Sequence, residues 1–471
     1  PMPERIDTDI CVIGAGSGGL SVAAGAVQMG APTVLIEGGR MGGDCLNYGC
    51  VPSKSLLAAA HHAAVWRRAG DFGVHYGAPE VRFDRVNDHV RSVIDAIAPH
   101  DSQERFEGLG VQVIRDWARF VSPREVEAGG VLVRARRFVI ATGSRPVAPP
   151  IPGLEEAGYL TNETIFDNRV LPGHLIVIGG GPIGMELAQA HAELGARVTV
   201  LEAARVLGRD DPELTAIAAD AVRESGVDIR EGVKIARVEA GPAVVLEGAD
   251  GEERIEGSHL LVAAGRRANL ERLDLEKAGI EHGTRGLVVD RGLKTTNRRV
   301  YAVGDAAGGL QFTHVAGHHA GLVIRNALFR LPVKDDPAII PWTTYTDPEL
   351  AWVGLQQEAA RSRHGDIDVL RWPLADNDRA RAERRTEGLA KAIVHKGRVI
   401  GAGIVGPGAG DLIGIWALAV KKRMKVADLA GFVAPYPTMG EVTKRLAGSY
   451  YTPKLFSDRT RRIVRLLARF G

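Results

Sequence analysis

The chain has 471 residues, room for about three domains at ~150 residues each, and its 45% apolar and 25% charged side chains are ordinary for a soluble globular protein. Its 59 basic and 57 acidic residues leave a net charge of +2, which gives no electrostatic reason to expect nucleic acid or an anionic membrane. No apolar run approaches the ~18 residues of a membrane-spanning helix, and three cysteines exclude a disulfide scaffold.

No apolar stretch precedes the first strand-like segment in PMPERIDTDICVIG, so no secretory signal is expected, and Pro1 before Met2 reads as an expression scar. A reducing compartment, the cytoplasm, is expected, where a cysteine pair is read first as catalytic or metal-binding. Asp9–Ile13 reads as a short buried strand, with Cys11 an inert core residue. Gly14-Ala-Gly-Ser-Gly-Gly19 follows, then an Ala-rich helix to Gly30 and a strand Thr33–Ile36 that ends at Glu37. Eight residues on, Cys45-Leu-Asn-Tyr-Gly-Cys50 stands four residues before Lys54. Five residues on a straight helix rise ~7.5 Å, more than a disulfide tolerates. Gly49 is therefore expected to loosen the turn and let the pair close. Two unrelated buried cysteines, or half of a zinc site, are the alternatives.

Arg145-Pro-Val-Ala-Pro-Pro-Ile-Pro-Gly153 reads as a connector, and after it the first pattern returns. Leu175–Ile178 leads to Gly179-Gly-Gly-Pro-Ile-Gly184, a helix to Gly195 and a strand Arg197–Leu201 that ends at Glu202. First glycine to acid is 23 residues in both copies. Each copy is a βαβ dinucleotide unit. Gly14 and Gly179 permit the tight turn, Gly16 and Gly181 the approach of a pyrophosphate, and Gly19 and Gly184 close helix–sheet packing. The helix N-terminus supplies free N–H groups for the phosphates, and Glu37 and Glu202 can accept from a ribose 2′-OH. A second connector, Leu331–Pro337, precedes a mixed region with apolar runs Ala390–Val394 and Val399–Val405 and a helical run Asp411–Lys425, which suits an α+β domain. The tail Asp458–Phe470 is amphipathic, with Ile463, Leu466, Leu467 and Phe470 on one face and Arg461, Arg462, Arg465 and Arg469 on the other. It is expected to pack on a dimer; a membrane-surface or partner helix is the alternative. His61-His62 and His318-His319 have no ligand spacing and read as surface or cofactor-adjacent residues.

GAGSGG with Glu37, GGDCLNYGCVPSK, ATGSRP, GGGPIGME and TTNRRVYAVGDAAG stand in one order along the chain. In that order the sequence resembles the flavin-dependent pyridine nucleotide–disulfide oxidoreductases, the family of dihydrolipoamide dehydrogenase, glutathione reductase and mercuric reductase. The resemblance implies an α/β fold. It has two Rossmann-like dinucleotide-binding domains, for FAD (1–150 with 275–338) and for NAD(P) (151–274), plus an α+β dimerisation domain (339–471). It implies a homodimer whose active site is shared between subunits. The cofactors implied are FAD, held by Gly14, Gly16, Gly19, Glu37, Gly43, Thr142, Gly143, Asp305 and Ala316, and NADH, held by Gly179, Gly181, Gly184, Glu202 and Gly265. NADPH is the alternative, but an acid at Glu202 repels a 2′-phosphate. A helix over Thr313–Leu328 would aim its N-terminus at the flavin. Cys50 resembles the thiol that contacts the flavin, Cys45 the exposed interchange thiol, and Lys54 and Glu186 the ion pair beside the ring. Asp44 next to Cys45 is expected to raise that thiol's pKa.

Disulfide-reducing members carry His-Pro-Thr-x-x-Glu near the C-terminus, and this chain has Tyr436-Pro-Thr-Met-Gly-Glu441. A phenol of pKa ~10 is ionised in roughly one molecule in a thousand at neutral pH. A positioned acid/base is worth ~10²–10⁴-fold, so the Tyr disfavours dithiol turnover. Mercuric reductases resemble the chain better there, but they also carry a C-terminal pair of adjacent cysteines, and this chain has none after Cys50. The expected activity is electron transfer from NADH through FAD and the cysteine pair to a small thiol, disulfide or soft-metal acceptor, mercuric-reductase-like first and dihydrolipoamide-dehydrogenase-like second. A flavoprotein component of a larger complex with only leak NADH oxidase activity is the competing class.

Overall fold

The structure, a computed structural model, describes residues 4–248 and 251–470, so Pro1 and Met2 lie outside the described residues. The chain forms two compact units, residues 4–203 with 228–337 and residues 204–227 with 338–470.

In the first unit, β1 (Glu4–Ile13), α1 (Ser17–Gln28) and β2 (Thr33–Ile36) form the first βαβ copy. The redox motif follows on α2 (Gly43–Asn47) and α3 (Cys50–Ala64). Strands β3 (Gln112–Ile114), β4 (Arg119–Ser122), β5 (Glu125–Ala128) and β6 (Val131–Ile140) complete a sheet of order β3-β2-β1-β6-β5-β4. The short β7 (Ser144–Pro146) opens the Pro-rich connector. The second copy is β8 (His174–Ile178), α4 (Pro182–Glu193) and β9 (Arg197–Glu202). With β10 (Val227–Glu231) and β14 (His259–Val262) it makes a sheet of order β10-β9-β8-β14. Strands β11 (Lys234–Glu239), β12 (Ala243–Gly248) and β13 (Gly251–Glu256) form an antiparallel flap, and β15 (Arg266–Ala268) pairs with β7. Then β16 (Val300–Ala302) joins the first sheet beside β6, and α5 runs from Thr313 to Phe329.

The apolar run at the end of β1 is buried on both faces, as a parallel strand between helix layers must be. Ile10 and Val12 pack with Val22 and Ala26 of α1 and Ala320 and Val323 of α5, while Cys11 and Ile13 face Phe120, Phe138 and Leu275. Cys11 is fully buried, and burial pushes its thiol up, out of reach of ionisation at neutral pH. Register then sets the site. Ile13 pairs with Ile36 and Ile140, and Ile140 with Ala302, so four parallel strands end level. The residues just past those ends are Gly14, Glu37, Thr142 and Asp305. In the second sheet Ile178 pairs with Leu201 and Val262, which brings Gly179, Glu202 and Gly265 to one edge. Ligands of open parallel sheets bind at this carboxyl edge.

The second unit is an antiparallel sheet of order β17-β18-β21-β20-β19, made of β17 (Trp342–Thr344), β18 (Glu349–Gly354), β19 (Asp368–Pro373), β20 (Leu389–His395) and β21 (Arg398–Gly406). α6 (Ala409–Lys422), where the sequence suggests Asp411–Lys425, covers it with the helix Glu441–Ser449 through Ile413, Trp416, Val442 and Leu446. The helix Pro212–Glu224 belongs to this unit. Lys391 of β20, only 2% exposed, meets Asp211 at 2.7 Å and Glu213 at 2.9 Å. α7 (Asp458–Leu467) closes the chain.

Candidate active site

The two glycine turns are built alike. Gly14 has φ +106° and Gly179 φ +108°, which only glycine adopts without strain. A Cβ on Gly14 would stand 2.3 Å from the Ala141 carbonyl oxygen, and one on Gly179 would stand 2.4 Å from that of Ala263. Gly19 and Gly184 would meet the carbonyl oxygens of Gly14 and Gly179 at 1.8 and 2.0 Å. The surroundings differ. A Cβ on Gly43 would press on Gly16 Cα at 2.7 Å, and Gly42 N–H donates to the Ala15 carbonyl at 2.9 Å, so the redox segment folds over the first turn. A Cβ on Gly181 would meet nothing within 4 Å. The Glu37 carboxylate accepts from Ala15 N–H and Gly39 N–H, both at 2.6 Å, and Glu202 accepts from Gly180 N–H at 2.8 Å. Each acid therefore stands at its glycine turn.

The redox motif is two helices with a break. α2 ends at Asn47, α3 starts at Cys50, and Gly49 lies between them, where a Cβ would sit 3.0 Å from the Asp44 carbonyl oxygen. The break brings Cys45 and Cys50 into hydrogen-bonding contact as free thiols. The two thiols are shifted in opposite directions by their mutual contact. The bond to Cys50, burial and the Cys50 charge push the Cys45 thiol up. The bond from Cys45 draws Cys50 down to about 6 against burial, helped by Thr313 and the Lys54 ammonium. Cys45 is half-buried and Cys50 is exposed in the protein chain alone. Ser17 and Thr313 hydrogen-bond to Cys45 and cover it. Lys54 Nζ donates to Glu186 Oε2 at 2.6 Å, and the Glu186 side chain is only 6% exposed.

Asp44, next to Cys45, has other partners: its carboxylate lies 3.2 Å from Arg266 Nη2 and accepts from Asn162 Nδ2 at 3.2 Å. Arg266 also donates to the Ser144 hydroxyl at 2.8 Å and its carbonyl at 2.9 Å, and the Ser144 hydroxyl donates to Asp305. Burial pushes the Asp305 carboxyl up, while Ser144 and Arg266 hold it down.

Other expected residues are less direct. Thr142 Oγ1 is buried with no hydrogen-bond partner among the described residues. The Gly143 carbonyl accepts from Asn269 N–H at 3.0 Å and the Gly265 carbonyl from Val147 N–H at 3.1 Å. Ala316 packs its methyl against Gly18 and Gly304, an apolar contact between helices. His319 is buried; its Nδ1 accepts from Gly304 N–H at 3.1 Å, so Nε2–H faces Asp335 at 3.5 Å. His62 lies against its own helix carbonyl Ala58. In the second unit, Tyr436 is exposed and donates to Asp378 Oδ2 at 2.9 Å. That bond and the Asp378 charge push the phenol up. Glu441 does not touch it; the Glu441 carboxylate accepts from Arg445 Nε at 3.0 Å.

Sequence reasoning missed Thr313, Ser17, Arg266, Asn162, Ser144 and Asp378. Thr313 was legible only as the first residue of a helix, and its hydroxyl stands 3.4 Å from Cys50 Sγ. Ser17 lies inside the glycine motif. Ser144 lies inside ATGSRP, and for the other three the chain alone carries no signal.

A buried polar hydroxyl at Thr142 and turns that need glycine at Gly14, Gly19, Gly179 and Gly184 fit a dinucleotide, with Asp305 and Glu37 as candidate polar partners. The pyridine nucleotide-disulphide oxidoreductase family matches residues 8–320, and its dimerisation domain matches residues 340–447. A mercuric reductase of Bacillus cereus is 36% identical over 445 residues, 93% of this chain and 70% of that protein. A dihydrolipoyl dehydrogenase of Staphylococcus aureus is 34% identical over 454 residues, 94% of this chain and 96% of that one. Among solved structures, the Cu(II) complex of the HOCl-induced flavoprotein disulfide reductase RclA from Escherichia coli matches with a TM-score of 0.83 at 28% identity, over 93% of this chain and 99% of that one. Among the described residues no helix is long and apolar enough to cross a membrane. With its paired glycine turns, its Cys45–Cys50 pair and a matching dimerisation domain, the chain belongs to the FAD- and NAD(P)H-dependent pyridine nucleotide–disulfide oxidoreductases.

Proposed function

We propose that the enzyme uses NADH to reduce a soft metal ion at the Cys45–Cys50 pair, as a homodimer in which Tyr436 and Glu441 are contributed across the interface. The proposal includes the partition into FAD-binding (1–150, 275–338), nucleotide-binding (151–274) and dimerisation (339–471) segments, and a reducing, cytoplasmic setting. Balanced, NADH and a divalent soft ion give NAD⁺, H⁺ and the reduced metal.

FAD, when bound, supplies the two-electron link between the nicotinamide and the sulfurs. The chain's part is to hold and protonate. Glycine turns, Glu37, Thr142 and Asp305 hold the flavin nucleotide, and Glu202 at its own turn favours NADH over NADPH. The hydrogen bond from Cys45 draws Cys50 down toward thiolate, and Lys54, fixed by Glu186, adds a smaller favourable charge. Cys45, whose thiol the bond to Cys50 pushes up, releases its proton when a soft cation binds both sulfurs, because thiolates are its preferred ligands.

One observation carries the choice of acceptor. The Tyr436 phenol donates to Asp378 and is held above its ordinary pKa, so at neutral pH it is a neutral donor and not a base. Dithiol–disulfide exchange needs a base for the thiol, whereas capture of a soft ion by two sulfurs does not. The mercuric reductase likeness and the Cu(II) complex of the RclA structure support the same reading. The test is a substrate panel on the holoenzyme with NADH and Hg(II) or glutathione disulfide, and with NAD⁺ and dihydrolipoamide. NADH-dependent reduction of Hg(II) with weak dithiol turnover is expected. Dihydrolipoamide oxidation at ~10² per second or faster overturns the reading.

A further inference from the structure

The family's dimerisation match ends at residue 447, and α7 lies wholly beyond it. The Ser457 side chain caps the helix by accepting from Thr460 N–H at 3.3 Å. No residue of α7 is buried. At 100° per residue Ile463, Leu466 and Leu467 fall on one arc of α7, and with Phe470, three residues past the helix end, they are 47–80% exposed. Arg461, Arg462 and Arg465 fall on the opposite arc, Arg459 stands four residues before Ile463 at the start of the apolar one, and Arg469 follows the helix end. From Thr452 to Phe470 the chain carries six cationic residues and one acid, Asp458, while the whole protein is nearly balanced. Leu455 and Phe456, just upstream, are exposed as well.

The charge selects what covers this face. A short helix with large apolar residues on one side and arginines on the other suits the boundary between lipid phosphates and acyl chains. Arginine stems can lie along the apolar edge with their guanidinium groups on the phosphates. A tail-to-tail contact between two copies would instead set two cationic stretches against each other.

We propose that α7 is a peripheral anchor that lays Ile463, Leu466, Leu467 and Phe470 into the surface of an anionic phospholipid bilayer. A homodimer carries two such anchors, and the second binds with the advantage of an intramolecular event. The proposal does not depend on the electron acceptor.

The test uses holoenzyme co-sedimented with vesicles of phosphatidylcholine alone or mixed equally with phosphatidylglycerol. Binding to the anionic vesicles only, released by added salt, is the expected result. L466E/L467E removes the apolar contact and R461Q/R462Q/R465Q removes the charge. Each should weaken binding about tenfold or more, with dimer mass and NADH reduction of the flavin unchanged. No binding to anionic vesicles, or binding that both variants leave intact, overturns the proposal. Dissociation of the L466E/L467E dimer also overturns it, because it assigns the apolar face to a second copy of the chain.

Discussion

Arg266 Nη2 lies 3.2 Å from the carboxylate of Asp44, and the same guanidinium holds Ser144, which in turn donates to Asp305. One cation thus stands between an acid beside the redox pair and an acid at the flavin site. Arg266→Met should leave both carboxylates uncompensated and weaken FAD retention about tenfold or more. Asp44→Asn in the Arg266→Met background should recover part of that loss, because one of the two like charges is gone. The FAD dissociation constant of each variant, by flavin fluorescence, measures both. Unchanged retention in Arg266→Met would refute the role of Arg266 as a hub.

Lys54→Met tests the thiolate. Cys50 is drawn down to about 6, partly by the Lys54 ammonium. In wild-type protein the thiolate–flavin absorbance of the two-electron-reduced enzyme should therefore persist at pH 7 and fade as pH drops through about 6. Without Lys54 the midpoint should move upward and the band at pH 7 should weaken. A midpoint that stays in place shows that the hydrogen bond from Cys45 suffices.

Tyr436→Phe should slow metal-ion reduction and leave flavin reduction by NADH unchanged. Tyr436→His would place an imidazole of pKa ~6.5 at the same position and should raise dihydrolipoamide activity about tenfold or more. The structure adds a partner: Asp378, not Glu441, holds the phenol and would meet the new ring. Tyr436→His with Asp378→Asn should then lose much of the gain. Steady-state rates on both acceptors decide.

Lys391 is the stability test for the second unit. Lys391→Met leaves the buried Asp211 carboxylate without its cation, a change that typically costs ~3–5 kcal/mol. Glu213 is drawn down to about 2, first by Arg371 and then by Lys391. Its contribution is present above its unfolded pKa of ~4.3 and is lost as pH falls through about 2. Thermal unfolding of wild type should therefore weaken from pH 5 toward pH 2, and less so in Lys391→Met. Equal melting of the two proteins at pH 7 contradicts this.

The glycine turns and the helix break were legible because they are local. Glycine at Gly14 and Gly179 answers a backbone geometry, and Gly49 answers a spacing that a straight helix cannot close. The parallel strands announced themselves as apolar runs. What remained hidden depends on residues far apart in sequence. Asp44 looked like a charge beside a thiol, because nothing in the chain says that Arg266 folds against it. Thr313 reads as a helix start, and only the packing of α5 sets its hydroxyl between two sulfurs. Tyr436 and Glu441 are legible in one motif, but nothing in the chain says that the phenol meets Asp378. The bounds of α5 differ from the expected ones by one residue, as helix ends commonly do.

The unequal covers of the two glycine turns bear on residence time. The first turn lies under Gly42 and Gly43, and those residues are continuous with the helix that carries Cys45. If the flavin nucleotide lodges at the first turn as proposed, its release would be coupled to movement of the segment that carries Cys45. The second turn has open space at Gly181. Two copies of one fold unit would then hold a retained prosthetic group and an exchangeable coenzyme. The flavin should survive prolonged dialysis, while the nicotinamide nucleotide turns over with every cycle.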